Sequence, residues 1–559
     1  MKKYTVLIVV SLILIALDCN ADNYPFPQNT VYPFGLMPVG RNYKDADTSY
    51  AAWKNSYVTQ NGAGGFRRIL SDVWNPQCPS PATVSEGIGY GMLLAANHDD
   101  KALFDDLWNY YKLHLDANGL MHWCIDANGN VSKQNAATDA DEDVAFALIL
   151  ADRQWGSSTG INYLQDAISM INKILQHEVE ATSYVLKPGD VWGGSAITNL
   201  SYFSPAYYRI FKMITGNAGW DKVIMKGYEI LQKAAHPVTG LVPDWSDQDG
   251  RCVPNWSCDY KYDAVRTLWR IALDHVWFGI PQAHDFAVKI TNFVEEIGIK
   301  NVKDGYRLNG TVIGLYHNSS FVGTFATGCM AADPINREFC NDAYIENVAV
   351  PGDSYYNMSL RTLTLFLQTG NFFNPASANL IILSQGFNLF SYPGSVLPAY
   401  STCLALLAEL GSADEVAEMQ RFDPGAQRFE ACDNQEGHDF PVVAGEGYEI
   451  RMKTAKSVLL PGQAVCPSLI LKVGLSLVGH PAPPSNFSCY KFLSLLGSEK
   501  VGSIQHFNRR SSAFESCAFY AGNGVELQPM GEDFPILAGE GYLVHSKANS
   551  TVVLPGCGN

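Results

Sequence analysis

The sequence predicts a mainly α fold class: a large helical region followed by two small β-rich repeat domains. Three observations predict it. Between about Pro25 and Phe373 apolar residues recur at three- and four-residue spacing in one segment after another, the period of helices that bury one face. Beyond about Pro375 the text changes to shorter apolar runs, glycine turns and proline punctuation. That last part then repeats itself over about 90 residues. At 559 residues the chain exceeds what one hydrophobic core usually serves, so the expected division is 1–21, 22–375, 376–466 and 467–559.

The first segment, MKKYTVLIVVSLILIALDCNA, places Lys2 and Lys3 before an apolar run and ends in small residues near Ala21, the layout of a secretory signal peptide. The run from Tyr4 to Leu17 is shorter than the ~20 residues a bilayer demands. A secreted protein, extracellular or periplasmic, with no membrane attachment after signal removal is therefore expected. In the next segment examples of helical stretches are Gly87 to His98, Leu103 to Leu115, Val144 to Trp155, Tyr163 to Leu175, Ala206 to Ile214, Tyr262 to Asp274, Ala283 to Ile297 and Leu360 to Leu367. Polar and aromatic residues gather at their ends and in the connections, which suggests a helical barrel or bundle whose loops build a groove.

In the last two segments GFNLFSYP (Gly386 to Pro393) returns as GLSLVGHP (Gly474 to Pro481), and DFPVVAGEGY (Asp439 to Tyr448) returns as DFPILAGEGY (Asp533 to Tyr542). The Gly-Glu-Gly-Tyr tetrad reads as a tight turn into a strand, with a ligand loop as the alternative. Each copy carries three cysteines: Cys403, Cys432 and Cys466 in the first, Cys489, Cys517 and Cys557 in the second. Without Cys19 twelve cysteines remain, and no CxxC pair or ligand-spaced His pair suggests zinc; disulfides with some buried thiols are expected.

Fifty-five acidic residues against 39 basic ones give a net charge of -16, which leaves no electrostatic footprint for nucleic acid or an anionic membrane. A neutral or cationic polymer is the more natural partner. Cleaving a glycosidic bond takes one protonated carboxyl and one carboxylate that activates water, so acids in loops beside glycine and aromatics are the places to look. Glu86 in SEGIGYGM stands at a helix start with small neighbours that let a substrate approach, and with Tyr90 and Met92 to desolvate it; the alternative is an acid that complements the helix dipole behind a Ser85 cap. Asp139, Asp141, Glu142 and Asp143 crowd the start of another helix. Their spacing hints at calcium, but Val144 and Leu150 stand where an EF-hand loop requires Gly and Glu. Asp263 and Arg266 lie three apart and would share a helix face, as catalytic base and partner or as a plain surface ion pair.

Together SEGIGYGM, ATDADEDVAFALILADRQW and YDAVRTLWR resemble, in order, the acid, signature and base regions of glycoside hydrolase family 8. The resemblance covers roughly Pro25 to Phe373; Val144, where Ile or Met is usual, is its one small departure. It implies an (α/α)6 barrel and an inverting mechanism with Glu86 as proton donor, Asp263 as general base and Asp139 holding the distorted sugar. Arg266 and Tyr262 would flank the base. Trp123, Trp192, Tyr202, Tyr355 and Tyr356 would line the groove or support the acids, since pyranose faces stack on rings. The implied activity is endo-cleavage of a β-1,4-glucan polysaccharide by a monomer, with no cofactor and no metal. Xylanase, mixed-linkage glucanase or chitosanase activity is the alternative within the family; a non-catalytic polysaccharide-binding or adhesion protein is the alternative outside it.

Overall fold

The computed structural model describes residues 24–72, 78–157, 160–432, 438–484, 486–509, 511–520 and 528–556. The expected signal peptide, 1–21, and Cys557 lie outside the described residues.

Two kinds of helix alternate along the chain up to Gln368. One kind is buried along most of its surface. Ser85–Asn97 buries every residue except Glu86, and Thr138–Trp155 buries an unbroken run from Thr138 to Ala151. Pro205–Thr215, Val265–Phe278, Ser319–Gly328 and Tyr355–Gln368 belong with them. Such helices must be enclosed by other elements. The other kind buries a stripe: Tyr163–His177 covers Tyr163, Ala167, Met170, Ile171 and Ile174 and leaves its opposite face to solvent. Tyr43–Tyr57, Lys101–Leu113, Gly219–Ala234, Pro281–Ile297 and Arg337–Ala349 complete this set.

The enclosed helices touch one another in sequence. Ser85–Asn97 packs on Thr138–Trp155, which meets Pro205–Thr215, then Val265–Phe278, Ser319–Gly328, Tyr355–Gln368, and so back to Ser85–Asn97. Glycine permits the tightest of these approaches: a Cβ at Gly89 would lie 2.9 Å from Asp143 Cβ. All eight helical stretches read from the sequence are present with shifted ends. One shift matters to the site: the helix expected from Tyr262 begins at Val265, so Tyr262 and Asp263 sit in the turn before it.

From Leu380 onward the structure is β-rich. The strands Gly386–Ser391, Gly447–Met452, Val416–Asp423 and Arg428–Cys432 form one antiparallel sheet in that spatial order. Gly474–Gly479, Gly541–Ser546, Val501–Asn508 and Ala513–Tyr520 form a second in the same order, extended by Gln528–Gly531. Alternation explains the inward faces, with Tyr448 and Ile450 of one and Tyr542 and Val544 of the other fully buried. Each copy also holds a short helix, Cys403–Leu410 or Cys489–Leu496, fastened to its sheet by Cys403–Cys432 or Cys489–Cys517. The Gly-Glu-Gly-Tyr tetrads are turns into strands, entered through Gly445 and Gly539 at φ +87° and +83°. The copies meet reciprocally: Glu446 bridges to Val478 and Glu540 to Phe390. Three further disulfides, Cys78–Cys124, Cys252–Cys258 and Cys329–Cys340, tie the helical part.

Candidate active site

Glu86 is the second residue of Ser85–Asn97, whose first N–H is taken by the Trp123 carbonyl at 2.9 Å. Its neighbours Gly87, Gly89 and Gly91 do not open a path for substrate. Added Cβ atoms there would meet Tyr355 Oη at 3.0 Å, Asp143 Cβ at 2.9 Å and Leu107 Cδ1 at 2.8 Å, so these glycines let the surrounding elements close in around the acid. The Tyr355 hydroxyl donates to Glu86 Oε1 at 3.0 Å. Burial pushes the Glu86 carboxyl up to about 7, against the pull of Arg266 and with help from the negative charge of Asp139.

The four acids of Thr138–Trp155 each find donors, which offsets their repulsion. Asp139 turns to Arg266. Asp141 accepts from the Tyr111 hydroxyl. Glu142 accepts from Ser204 at 2.9 Å and Tyr208 at 2.7 Å, and Asp143 takes a bidentate pair from Arg270 at 2.8 and 2.7 Å. Among the described residues no three His, Cys, Asp or Glu side chains are grouped to hold a metal ion.

Arg266 joins the three sequence-predicted acids. One guanidinium nitrogen donates to Glu86 Oε2 and Asp139 Oδ2, each at 2.6 Å, and the other to Asp263 Oδ1 at 2.8 Å. The Tyr202 ring lies 5.3 Å from the guanidinium carbon. Three carboxyls around one cation cannot all be ionised cheaply in a buried site, and the raised Glu86 is the one that keeps a proton near neutrality. The side chains differ in access: Asp139 is sealed at 4% exposure, Glu86 is at 18% and Asp263 at 33%, so water reaches Glu86 and Asp263.

The aromatic residues divide. Tyr262 donates to Asp304 at 2.7 Å, Tyr356 donates to the Tyr262 carbonyl, and their rings meet edge to face, so both border Asp263. Trp192 is half exposed and forms a cluster with Trp245 and Trp256. Trp123 packs on the Cys78–Cys124 disulfide, beside the start of the Glu86 helix through its backbone. Sequence reasoning missed Asp244, Trp245, Trp256 and Asp304. Asp244 and Trp245 satisfy the criterion that found Glu86 and Asp263, acids beside aromatics in a Gly-rich connection, and could have been named.

Comparison with known proteins points to one family. The family model for glycosyl hydrolases family 8 matches residues 24–370. Endoglucanase A of Acetivibrio thermocellus is 45% identical over 388 residues, 66% of this chain and 80% of that protein. Endoglucanase 2 of Ruminiclostridium josui is 43% identical over 377 residues, 65% of this chain and 81% of that protein. The apo structure of a beta-1,3-1,4-glucanase from Paenibacillus sp. X4 superposes with a TM-score of 0.57 and 30% identity, covering 63% of this chain and all of that one.

Proposed function

The chain belongs to glycosyl hydrolases family 8, and on that premise we propose that it is an endo-acting, inverting glycoside hydrolase that cuts β-1,4-glucan chains of the cellulose type. The observation that carries the reading is the Arg266 node, which holds Glu86, its carboxyl raised by burial to about 7, and a solvent-reached Asp263 on one cation. Glu86 gives its proton to the departing glycosidic oxygen. Asp263 takes a proton from the water that attacks the anomeric carbon from the opposite face, and Asp139 holds the distorted ring at the cleavage point. Tyr202, Tyr262, Tyr355 and Tyr356 shape this centre, while Trp123 and Trp192 offer ring faces along the polymer. Family relatives named endoglucanases, at 41–45% identity, support the substrate class.

In this reading the closed circuit of enclosed helices with amphipathic ones outside is an (α/α)6 barrel occupying 22–375, and 376–466 and 467–559 are two repeat domains behind it. Residues 1–21 direct a monomer to the extracellular space or periplasm. Five disulfides among the described residues favour such an oxidising compartment. No described helix is long and apolar enough to cross a membrane. The acidic charge supports a neutral polysaccharide rather than nucleic acid as partner.

Reducing-sugar release and viscosity on a panel of soluble β-1,4-glucan, mixed-linkage glucan, xylan and chitosan test this. A rapid viscosity fall on β-1,4-glucan is expected. Cleavage confined to xylan or chitosan, or sugar release without a fall in viscosity, overturns it.

A further inference from the structure

The acid, the base and the Arg266 node leave unexplained the loop that leads into Asp263. From Asp244 to Asp259 the chain doubles back: the Asp244 N–H donates to the Asp259 carbonyl at 2.9 Å and the Trp245 N–H to the Ser257 carbonyl at 3.3 Å. Cys252 and Cys258, with Cα atoms 5.4 Å apart, close its tip. Two rings on this loop meet Trp192. Trp256 stacks on it at 5.8 Å with 19° between planes, and Trp245 lies 5.8 Å from Trp192 and 4.4 Å from Trp256. Trp192 and Trp256 stay 38% and 41% exposed, an apolar wall of the kind a sugar face covers.

Trp245 turns its polar edge the other way. Its Nε1–H donates to Asp263 Oδ2 at 3.1 Å, while Arg266 holds Oδ1 at 2.8 Å. Asp244, buried beside it, accepts the N–H groups of Lys261 at 3.0 Å and Ala264 at 2.8 Å, on either side of Asp263. Asp263 needs this support because it sits in a turn, one third exposed, and a carboxylate rotates freely about its last torsion. Donors on both oxygens fix its plane and leave a lone pair on each for water.

We propose that Trp245 is a positioning residue for Asp263, and that its disulfide-closed loop couples the orientation of that base to a sugar ring stacked on the Trp192–Trp256 wall. The inference rests on the reading of Asp263 as general base. Binding energy gained on the wall, away from the reacting atoms, is then expressed in turnover rather than in affinity alone.

The test compares Trp245→Phe, Trp256→Ala, the double variant and Asp263→Asn with the wild-type chain on soluble β-1,4-glucan. Trp245→Phe is expected to lower kcat by roughly ten- to a hundredfold, the range for loss of one hydrogen bond to a charged group, with KM nearly unchanged. Trp256→Ala is expected to lower kcat as well as raise KM, and to cost no further kcat once Trp245 is Phe. Benzothienylalanine at position 245 keeps the bicyclic shape without the N–H and is expected to match Trp245→Phe, which covers the case of a Phe variant that fails to fold. Wild-type kcat in both position-245 variants overturns the positioning role. A Trp256→Ala effect confined to KM overturns the coupling. If Asp263→Asn itself retains turnover, the base reading fails instead; if it is inactive while position 245 is indifferent, only the present inference fails.

Discussion

Arg266 and Arg270 stand one turn apart on Val265–Phe278 and gather carboxylates in similar ways. Arg266 holds Glu86, Asp139 and Asp263; Arg270 holds Asp143 and, at 3.5 Å, Glu142. The difference is access. Arg270, Glu142 and Asp143 have no exposed side-chain surface; Ser204 and Tyr208 donate to Glu142, and Arg270 takes both oxygens of Asp143. Burial pushes both of those carboxyls upward, Glu142 strongly, with no route for the proton to a ligand. Around Arg266 both Glu86 and Asp263 reach solvent. The same ion-pair chemistry is thus sealed as a fastener in one layer and open to solvent in the next, and what separates them is where the helix ends and the loops begin.

Glu86→Gln should separate the two layers most sharply. It removes the proton and keeps the shape, so turnover is expected to fall ~10²–10⁴-fold while substrate binding and thermal stability hold. Loss of less than about tenfold would remove Glu86 from the role of acid. In the wild type the acid works only while protonated, so activity should decline as pH rises through about 7. Next in size is Arg270→Met, which strands two buried carboxyls and is expected to cost ~3–5 kcal/mol in urea unfolding. Arg266→Met should cost less stability, because Glu86 and Asp263 can turn to water. Equal stability losses would erase the distinction between the layers.

The smallest effect is expected from ending the chain at Ala376, which removes the β-rich part. The Arg266 node uses no residue beyond it, so turnover of soluble glucan should persist, although Leu380 and Leu459, which pack on the helical core, and the Lys212–Glu409 pair at 3.7 Å are lost. If the repeats bind polysaccharide, action on insoluble substrate should weaken far more than on soluble substrate, because tethering counts only where sites are immobilised. Equal loss on both would make the repeats a support for the helical core.

How much of this was legible follows from range. Amphipathic helices such as Tyr163–His177 print their period in the sequence, and Gly219–Ala234, with Val223, Ile224, Ile230 and Leu231, prints it too. Ser319–Gly328 does not, because it is buried all round and rich in Gly, Ser and Thr. Cys403–Leu410 and Cys489–Leu496 are mostly apolar stretches of eight residues, a length at which strand and helix look alike. In the site, Glu86, Asp139 and Asp263 were found as separate segments. Arg266 meets Glu86 across 180 residues and Asp139 across 127, and no local pattern encodes such contacts. The Trp245 contact spans only 18 residues, yet it depends on a loop whose fold local spacing does not specify.

The central claim, that Glu86 and Asp263 act from opposite faces with a water between base and sugar, is tested most directly by stereochemistry. Proton NMR of the first product released from a β-linked glucan chain, recorded before mutarotation, should show the α anomer, because direct displacement by water inverts the centre. An initial β anomer would mean a covalent intermediate and a nucleophile in place of a base, and would contradict the account.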